Sequence, residues 1–85
     1  MKVAFTRAAE KSFFRLPTNR QTQVLGRIQA VADDPNNRRL HVEPLAGSEL
    51  LRLRVGNYRV LFSTDEVKGV LTVELIRTRG DVYKR

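Results

Sequence analysis

Residues 49–62 read ELLRLRVGNYRVLF, and the alternation within them sets the plan of the chain. Apolar and polar side chains alternate with period two on either side of Gly56-Asn57, a pair suited to the tight two-residue connection between antiparallel strands. With the turn there, Val55 faces Tyr58, Leu53 faces Val60 and Leu51 faces Phe62, all on one side of the ribbon. That side is expected to be core. By the same parity Arg52, Arg54 and Arg59 share the opposite side, Arg54 directly across from Arg59, with no carboxylate in register. Like charges opposed across a sheet are destabilising, so the arrangement points to an anionic ligand.

Downstream, Ser63 to Gly69 reads as a polar turn region around Asp65-Glu66, and VLTVELIR over Val70 to Arg77 as a further strand. Leu71, Val73 and Leu75 are expected to face the core, alternating with Thr72, Glu74 and Ile76. Glu74 then falls on the arginine side, placed to neutralise one guanidinium. Upstream, Asn36 to Ser48 reads as a polar connection punctuated by Pro44 and Gly47. Its Arg38, Arg39 and His41 could touch a nucleic acid, but solvated loop charge is the simpler reading.

Earlier still, Thr18-Asn19-Arg20-Gln21 has capping-box spacing before a run of helical period. Val24, Leu25, Ile28, Val31 and Ala32 fall on one face, while Arg20, Gln23, Arg27 and Gln29 point elsewhere and Asp33-Asp34-Pro35 closes the run. Gly26 costs that helix about 1 kcal/mol relative to Ala, which fits close approach of a neighbouring element. Thr6 reads as the cap of a first helix, RAAEKSFFRL, contributing Phe13, Phe14 and Leu16 and stopped by Pro17. Lys2 to Phe5 reads as a short strand with Val3 and Phe5 on one face. The expected class is α+β: two N-terminal helices packed on one face of a small, mainly antiparallel sheet, joined at one edge by the N-terminal strand.

Eighty-five residues suit one domain over 1–85 with one modest core, and 41% hydrophobic with 29% charged residues suits a folded chain. Sixteen Lys and Arg against nine Asp and Glu, a formal charge of +7, favour a polyanionic partner: nucleic acid, an anionic membrane surface or an acidic protein. Most of the cations are arginine, the side chain suited to bidentate phosphate contacts, which tilts the choice toward nucleic acid. The lack of cysteine excludes a disulfide framework and a Cys-ligated zinc site. A single histidine excludes a two-histidine acid/base pair and a His-rich metal site. Asp33-Asp34, before Pro35, reads as a helix terminus and not a metal pair. No apolar run approaches signal-sequence or membrane-spanning length, so the expected setting is cytoplasmic and away from membranes. Neither a glycine-rich phosphate loop nor a serine triad is visible, and no cofactor is expected.

The ending RTRGDVYKR, residues 77–85, is as basic as the hairpin and carries a tyrosine. If the last strand runs beside the hairpin, its end brings Arg77 or Arg79, and Tyr83, to the rim of the arginine face. The plain alternative is a solvated terminus of scattered charge.

Taken in order, a short strand, a two-helix hairpin, a connection ending in LAGSELLRLRVGNYRVLF and a final strand closing with IRTRGDVYKR resemble the RelE/ParE family of bacterial type II toxin-antitoxin toxins. The resemblance spans essentially the whole chain. It is carried by Leu45-Ala46-Gly47, by the R-x-R-x-G-N-Y-R hairpin and by the R-x-R-G-D-V-Y ending. Similarity to the RelE-like branch implies an mRNA endoribonuclease acting on messages in the ribosomal A site, with Arg, Lys and Tyr as active groups, no metal, and a cognate antitoxin as partner. It implies catalytic roles for Arg54, Arg59, Arg79 and Tyr83, and substrate contacts for Arg52, Arg77, Lys84 and Arg85.

On that resemblance the expected chemistry is attack of a ribose 2′-OH on the adjacent phosphodiester. Arg59, with Arg54 or Arg52, would stabilise the phosphorane-like charge. Tyr83 would stack on a base or orient the 2′-OH, and surrounding guanidinium groups would lower its pKa toward use as a base. Arg79 or Arg77 would shield the 5′-oxygen leaving group. Two positions depart from the RelE pattern: Thr78 stands where many relatives carry His, and Leu50 at the first basic position of the hairpin. Both remove an acid/base candidate and leave the phosphate grip intact. The rival readings are a ParE-like toxin that binds DNA gyrase, and a non-catalytic RNA-binding module.

Overall fold

The computed structural model describes residues 1–78. Strand β1 (Lys2–Phe5) leads into helices α1 (Arg7–Phe14) and α2 (Thr18–Asp33), then a single 3-10 turn (Arg38–Leu40) and strands β2 (Val42–Pro44), β3 (Leu51–Val55), β4 (Tyr58–Asp65) and β5 (Val70–Thr78). The five strands form one sheet in the order β1-β5-β4-β3-β2, antiparallel except where β1 runs parallel to β5. This is the expected α+β arrangement, with one strand more than the sequence suggested.

The central hairpin has the expected register: Val55 pairs with Tyr58, Leu53 with Val60 and Leu51 with Phe62. Gly56 takes φ 57° while Asn57 is not left-handed, the pattern of a II′ turn with glycine at its first central position. Leu53, Val55, Val60 and Phe62 are buried against Val24, Ile28, Val31 and Ala32 of α2 and against Ala9 and Phe13 of α1. The two helices therefore cover one face of the sheet and leave the other open.

The connection between α2 and β3 is more ordered than a polar loop. Arg27 on α2 donates from Nη2 to the Leu40 carbonyl at 3.1 Å, tying the 3-10 turn to the helix. His41 then takes a left-handed conformation, φ 58°, and turns the chain into β2, an edge strand whose Val42, Glu43 and Pro44 pair with Leu53, Arg52 and Leu51. Its three residues end on proline, a residue tolerated at sheet edges because no ladder hydrogen bond is lost there.

Helix α2 also starts differently from a capping box. Pro17, with φ −56°, is the N-cap and its carbonyl accepts from the Arg20 and Gln21 amides, both at 2.9 Å. Proline has no N–H for a Gln21 side chain to satisfy. Gln21 Nε2 instead donates to the Leu16 carbonyl at 2.9 Å, closing the α1–α2 corner. Gly26 is exposed, and a Cβ there would meet nothing within 4 Å, so no neighbour requires the glycine. Phe14 and Leu25, expected in the core, are 67% and 42% exposed and flank a depression of about 160 Å³ with Phe5, Glu10 and Phe13.

In β5 the expected alternation breaks. Leu61 pairs with Leu75 but the next residue, Phe62, pairs with Val73, so Glu74 is an extra residue in a β-bulge. Leu71 and Val73 are buried as expected. Beyond the bulge the phase inverts: Ile76 is buried, Leu75 is half-buried on the open face, and Arg77 stands on the open face. Unbulged, Arg77 would share the face of Leu71 and Val73 and put an unpaired guanidinium under the helices, a cost of several kcal/mol.

Both ends of the bulge residue are held. The Glu74 carbonyl accepts from Thr6 Oγ1 at 2.9 Å, and Glu74 Oε2 accepts from Ser63 Oγ at 3.1 Å. Thr6 is also the N-cap of α1, its hydroxyl accepting from the Ala9 amide at 3.1 Å, and its own amide donates to the Val73 carbonyl at 3.0 Å. One hydroxyl thus joins the start of α1 to the irregularity that re-aims β5. Replacing it by Thr6→Ala is expected to cost about 1–2 kcal/mol, the sum of a lost cap and a lost hydrogen bond, whereas Thr6→Ser should retain most of that. Urea denaturation midpoints of the two variants test this, and a loss below about 0.5 kcal/mol in the alanine variant would remove the clamp role.

Candidate functional site

The open face of the sheet is built from the residues whose parity opposes the core. Arg54 on β3 pairs with Arg59 on β4, and Arg59 pairs with Arg77 on β5. The result is a row of three arginines running across three adjacent strands, at the roughly 4.5–5.5 Å spacing of directly opposed residues. Arg54 and Arg77 are exposed and Arg59, in the middle, is half-buried. No salt bridge among the described residues reaches any of the three.

Two residues along each strand lies a second row of different character. Arg52 is flanked by Glu43 of β2 and by Leu61 of β4, and Leu61 by Leu75 of β5. Arg52 Nη2 meets Glu43 Oε2 at 3.1 Å, with the two side chains 28% and 57% exposed. A carboxylate is therefore in register with one hairpin arginine, contrary to expectation, because β2 supplies it. The pair is a surface ion pair, worth well under about 1 kcal/mol. Glu74, expected to neutralise an arginine, is bound instead to Ser63.

Between the rows lies a depression of about 130 Å³ lined by Leu45, Arg52, Arg59, Leu61 and Arg77. Of the arginines proposed from sequence, Arg52, Arg59 and Arg77 meet there and Arg54 extends the row on the far side of Arg59. Arg79, Tyr83, Lys84 and Arg85 lie outside the described residues. Arg38, Arg39 and His41 are exposed and none lines the depression. Asp34 caps the end of α2, and among the described residues no group of His, Asp and Glu could hold a metal ion.

Leu45, Leu61 and Glu43 were missed as site residues. Leu61 had a signal: it shares the parity of Arg59 and so had to leave the core. Glu43 had none, since β2 was not expected.

Chemically, this surface offers fixed positive charge and little else. Guanidinium donates hydrogen bonds and is a poor proton donor at neutral pH. Among the described residues, no carboxylate, imidazole or phenol lines the depression. The arrangement suits binding an anionic polymer and stabilising negative charge that develops on it. Tyr58, at the hairpin end on the helix side, borders two further depressions, of about 180 Å³ with Arg20, Gln23, Gly56 and Asn57, and about 310 Å³ with Ser12, Arg15, Leu16, Pro17, Ile76 and Thr78.

Solved structures share this fold. The archaeal RelE–RelB complex from Pyrococcus horikoshii matches with a TM-score of 0.78 and 25% identity, covering 93% of this chain and 94% of that one. The RelBE2 toxin-antitoxin complex of Mycobacterium tuberculosis matches at 0.78 and 22% identity, covering 92% and 96%. A YoeB/ParE toxin from Agrobacterium tumefaciens matches at 0.78 and 18% identity, covering 92% and 98%. No curated protein matches the sequence. The family model described as the ParE toxin of type II toxin-antitoxin system, parDE, matches residues 3–83. The chain thus belongs to the ParE toxin family of type II toxin-antitoxin systems, within the RelE/ParE superfamily.

Proposed function

We propose that this toxin is a ribosome-dependent mRNA endoribonuclease that stops translation in the cytoplasm. The observation that carries the reading is the row Arg54-Arg59-Arg77, three guanidinium groups in register on an open sheet face with no carboxylate partner among the described residues. A sheet that only had to fold would not place like charges on both sides of Arg59.

In the proposed reaction the ribose 2′-oxygen attacks the adjacent phosphorus and loses its proton to a base. The P–O5′ bond breaks, a 2′,3′-cyclic phosphate remains on the upstream fragment, and the 5′-oxygen leaves after taking up a proton. Arg59, flanked by Arg54 and Arg77, stabilises the extra negative charge of the phosphorane-like transition state. Arg52 and Arg77 contact neighbouring phosphates, with Arg79, Lys84 and Arg85 extending the grip. Tyr83 is the proposed base or 2′-OH positioner, and Arg77 or Arg79 shields the leaving oxygen. A site so poor in ordinary acids and bases works chiefly by positioning, which suits a substrate held by the ribosome. RelE–RelB complexes among the structural neighbours support a cognate antitoxin as the second partner, its acidic segment complementing the basic face.

A second reading, inhibition of DNA gyrase, is favoured by the ParE description of the matching family model. Primer extension on messages from expressing cells separates the two. Cleavage at A-site codons, reduced by Tyr83→Phe, supports the nuclease; inhibition of supercoiling without cleavage supports the rival.

Arg59→Gln gives a paired test with opposite signs. Cleavage is expected to fall by about 10²–10³, as for loss of a principal transition-state donor, while co-sedimentation with ribosomes is kept. A loss of binding in proportion to cleavage would favour a non-catalytic RNA-binding module. The same substitution relieves two like-charge contacts and should stabilise the fold by about 0.5–1.5 kcal/mol, a rise of several degrees in thermal midpoint.

A further inference from the structure

From the depression beside the arginine row we infer a base subsite that favours the keto bases, guanine and uracil, over the amino bases, adenine and cytosine. The inference rests on the nuclease reading and adds to it where one base lies and what is read of it. Its starting point is an anomaly of composition: Leu61 and its cross-strand partner Leu75, with Leu45, are half-buried on the face the helices do not cover. Folding does not require this apolar patch among arginines, because the core lies on the other side of the sheet.

Leu61 and Leu75 sit two residues along from Arg59 and Arg77, a step of about 6.8 Å, comparable to the distance from a phosphate to the base of its own nucleotide. With the backbone on the arginine row, a base reaches the leucines. The volume of about 130 Å³ is on the scale of one heterocycle. Apolar side chains and guanidinium planes are both surfaces on which bases stack. Among the described residues the polar lining is Arg52, Arg59 and Arg77, which only donate hydrogen bonds. Glu43, the carboxylate in register with Arg52, does not line the depression and is bound by Arg52. Such a lining satisfies O6 and N7 of guanine or O4 of uracil, and leaves the exocyclic amino group of adenine or cytosine facing donors.

The test measures cleavage of ribosome-bound messages that differ only in the bases around the cut, for the full chain and for Leu61→Gln, whose amide adds an acceptor. Leu61→Val is the conservative control, with thermal midpoints reporting on folding. The wild type is expected to cut with about a tenfold preference for guanine or uracil at one position. Leu61→Gln should reduce that to about twofold while still cutting, and Leu61→Val should keep it. Cleavage that is lost in Arg59→Gln yet equal for all four bases, or whose preference is untouched by Leu61→Gln, overturns the subsite and leaves the nuclease reading standing. No cleavage by the wild type at any sequence overturns both.

Discussion

The phase change in β5 governs the functional face. Strand alternation is unforgiving: a residue two positions from a core residue is itself in the core. Leu71 and Val73 set one phase, and Ile76, Arg77 and the pairing with Arg59 demand the other. Glu74 reconciles them by occupying a bulge, and the molecule secures it with hydroxyls from two directions, Thr6 below and Ser63 beside it. The helix layer and the arginine row are coupled through this one residue. The same threonine that starts α1 also holds the carbonyl behind which the strand changes phase.

The arginine row shows a division of labour between the two faces. Buried Leu53, Val55, Val60 and Phe62 stabilise β3 and β4 from the helix side, each fully buried side chain contributing on the order of 1.5–3 kcal/mol. Opposed arginines on the other side cost a fraction of that. The sheet tolerates repulsion on its open face because its other face is well packed. Local conflict of this kind is expected where a surface is kept for binding and not for stability.

How much was legible in the sequence follows the same physics. The hairpin register was readable because alternation on both strands and a glycine at the turn agree. The amphipathic stripe of α2 was readable because Val24, Ile28 and Val31 recur at helical intervals. Strand β2 was hidden: three residues ending in proline carry no period, and it exists because β3 offers it an edge. The bulge left one trace, the adjacent apolar pair Leu75-Ile76, where strict alternation allows only one inward residue. Reading Leu75 as the core residue put Ile76 on the wrong face, and only the bulge makes a buried Val73 compatible with Arg77 on the arginine side, where it was expected. Leu25 and Phe14 fit the apolar stripe by spacing, yet they lie at its edge, where the sheet does not reach. Of the candidate site, the hairpin arginines were legible from parity alone, while Glu43 and the contribution of Leu61 needed the neighbouring strands.

The parallel pairing of β1 with β5 sets when the molecule can exist at all. The second residue of the chain lies beside the seventieth, and the hydroxyl of Thr6 closes on a carbonyl 68 positions later. Such closure is slow, because loop entropy is spent before the contact rewards it. During synthesis, β1 and both helices must wait with an uncovered apolar side until nearly the last strand has been made. The arginine row is completed by Arg77, so a growing chain carries no finished polyanion-binding surface until β5 has been made and has paired with β4.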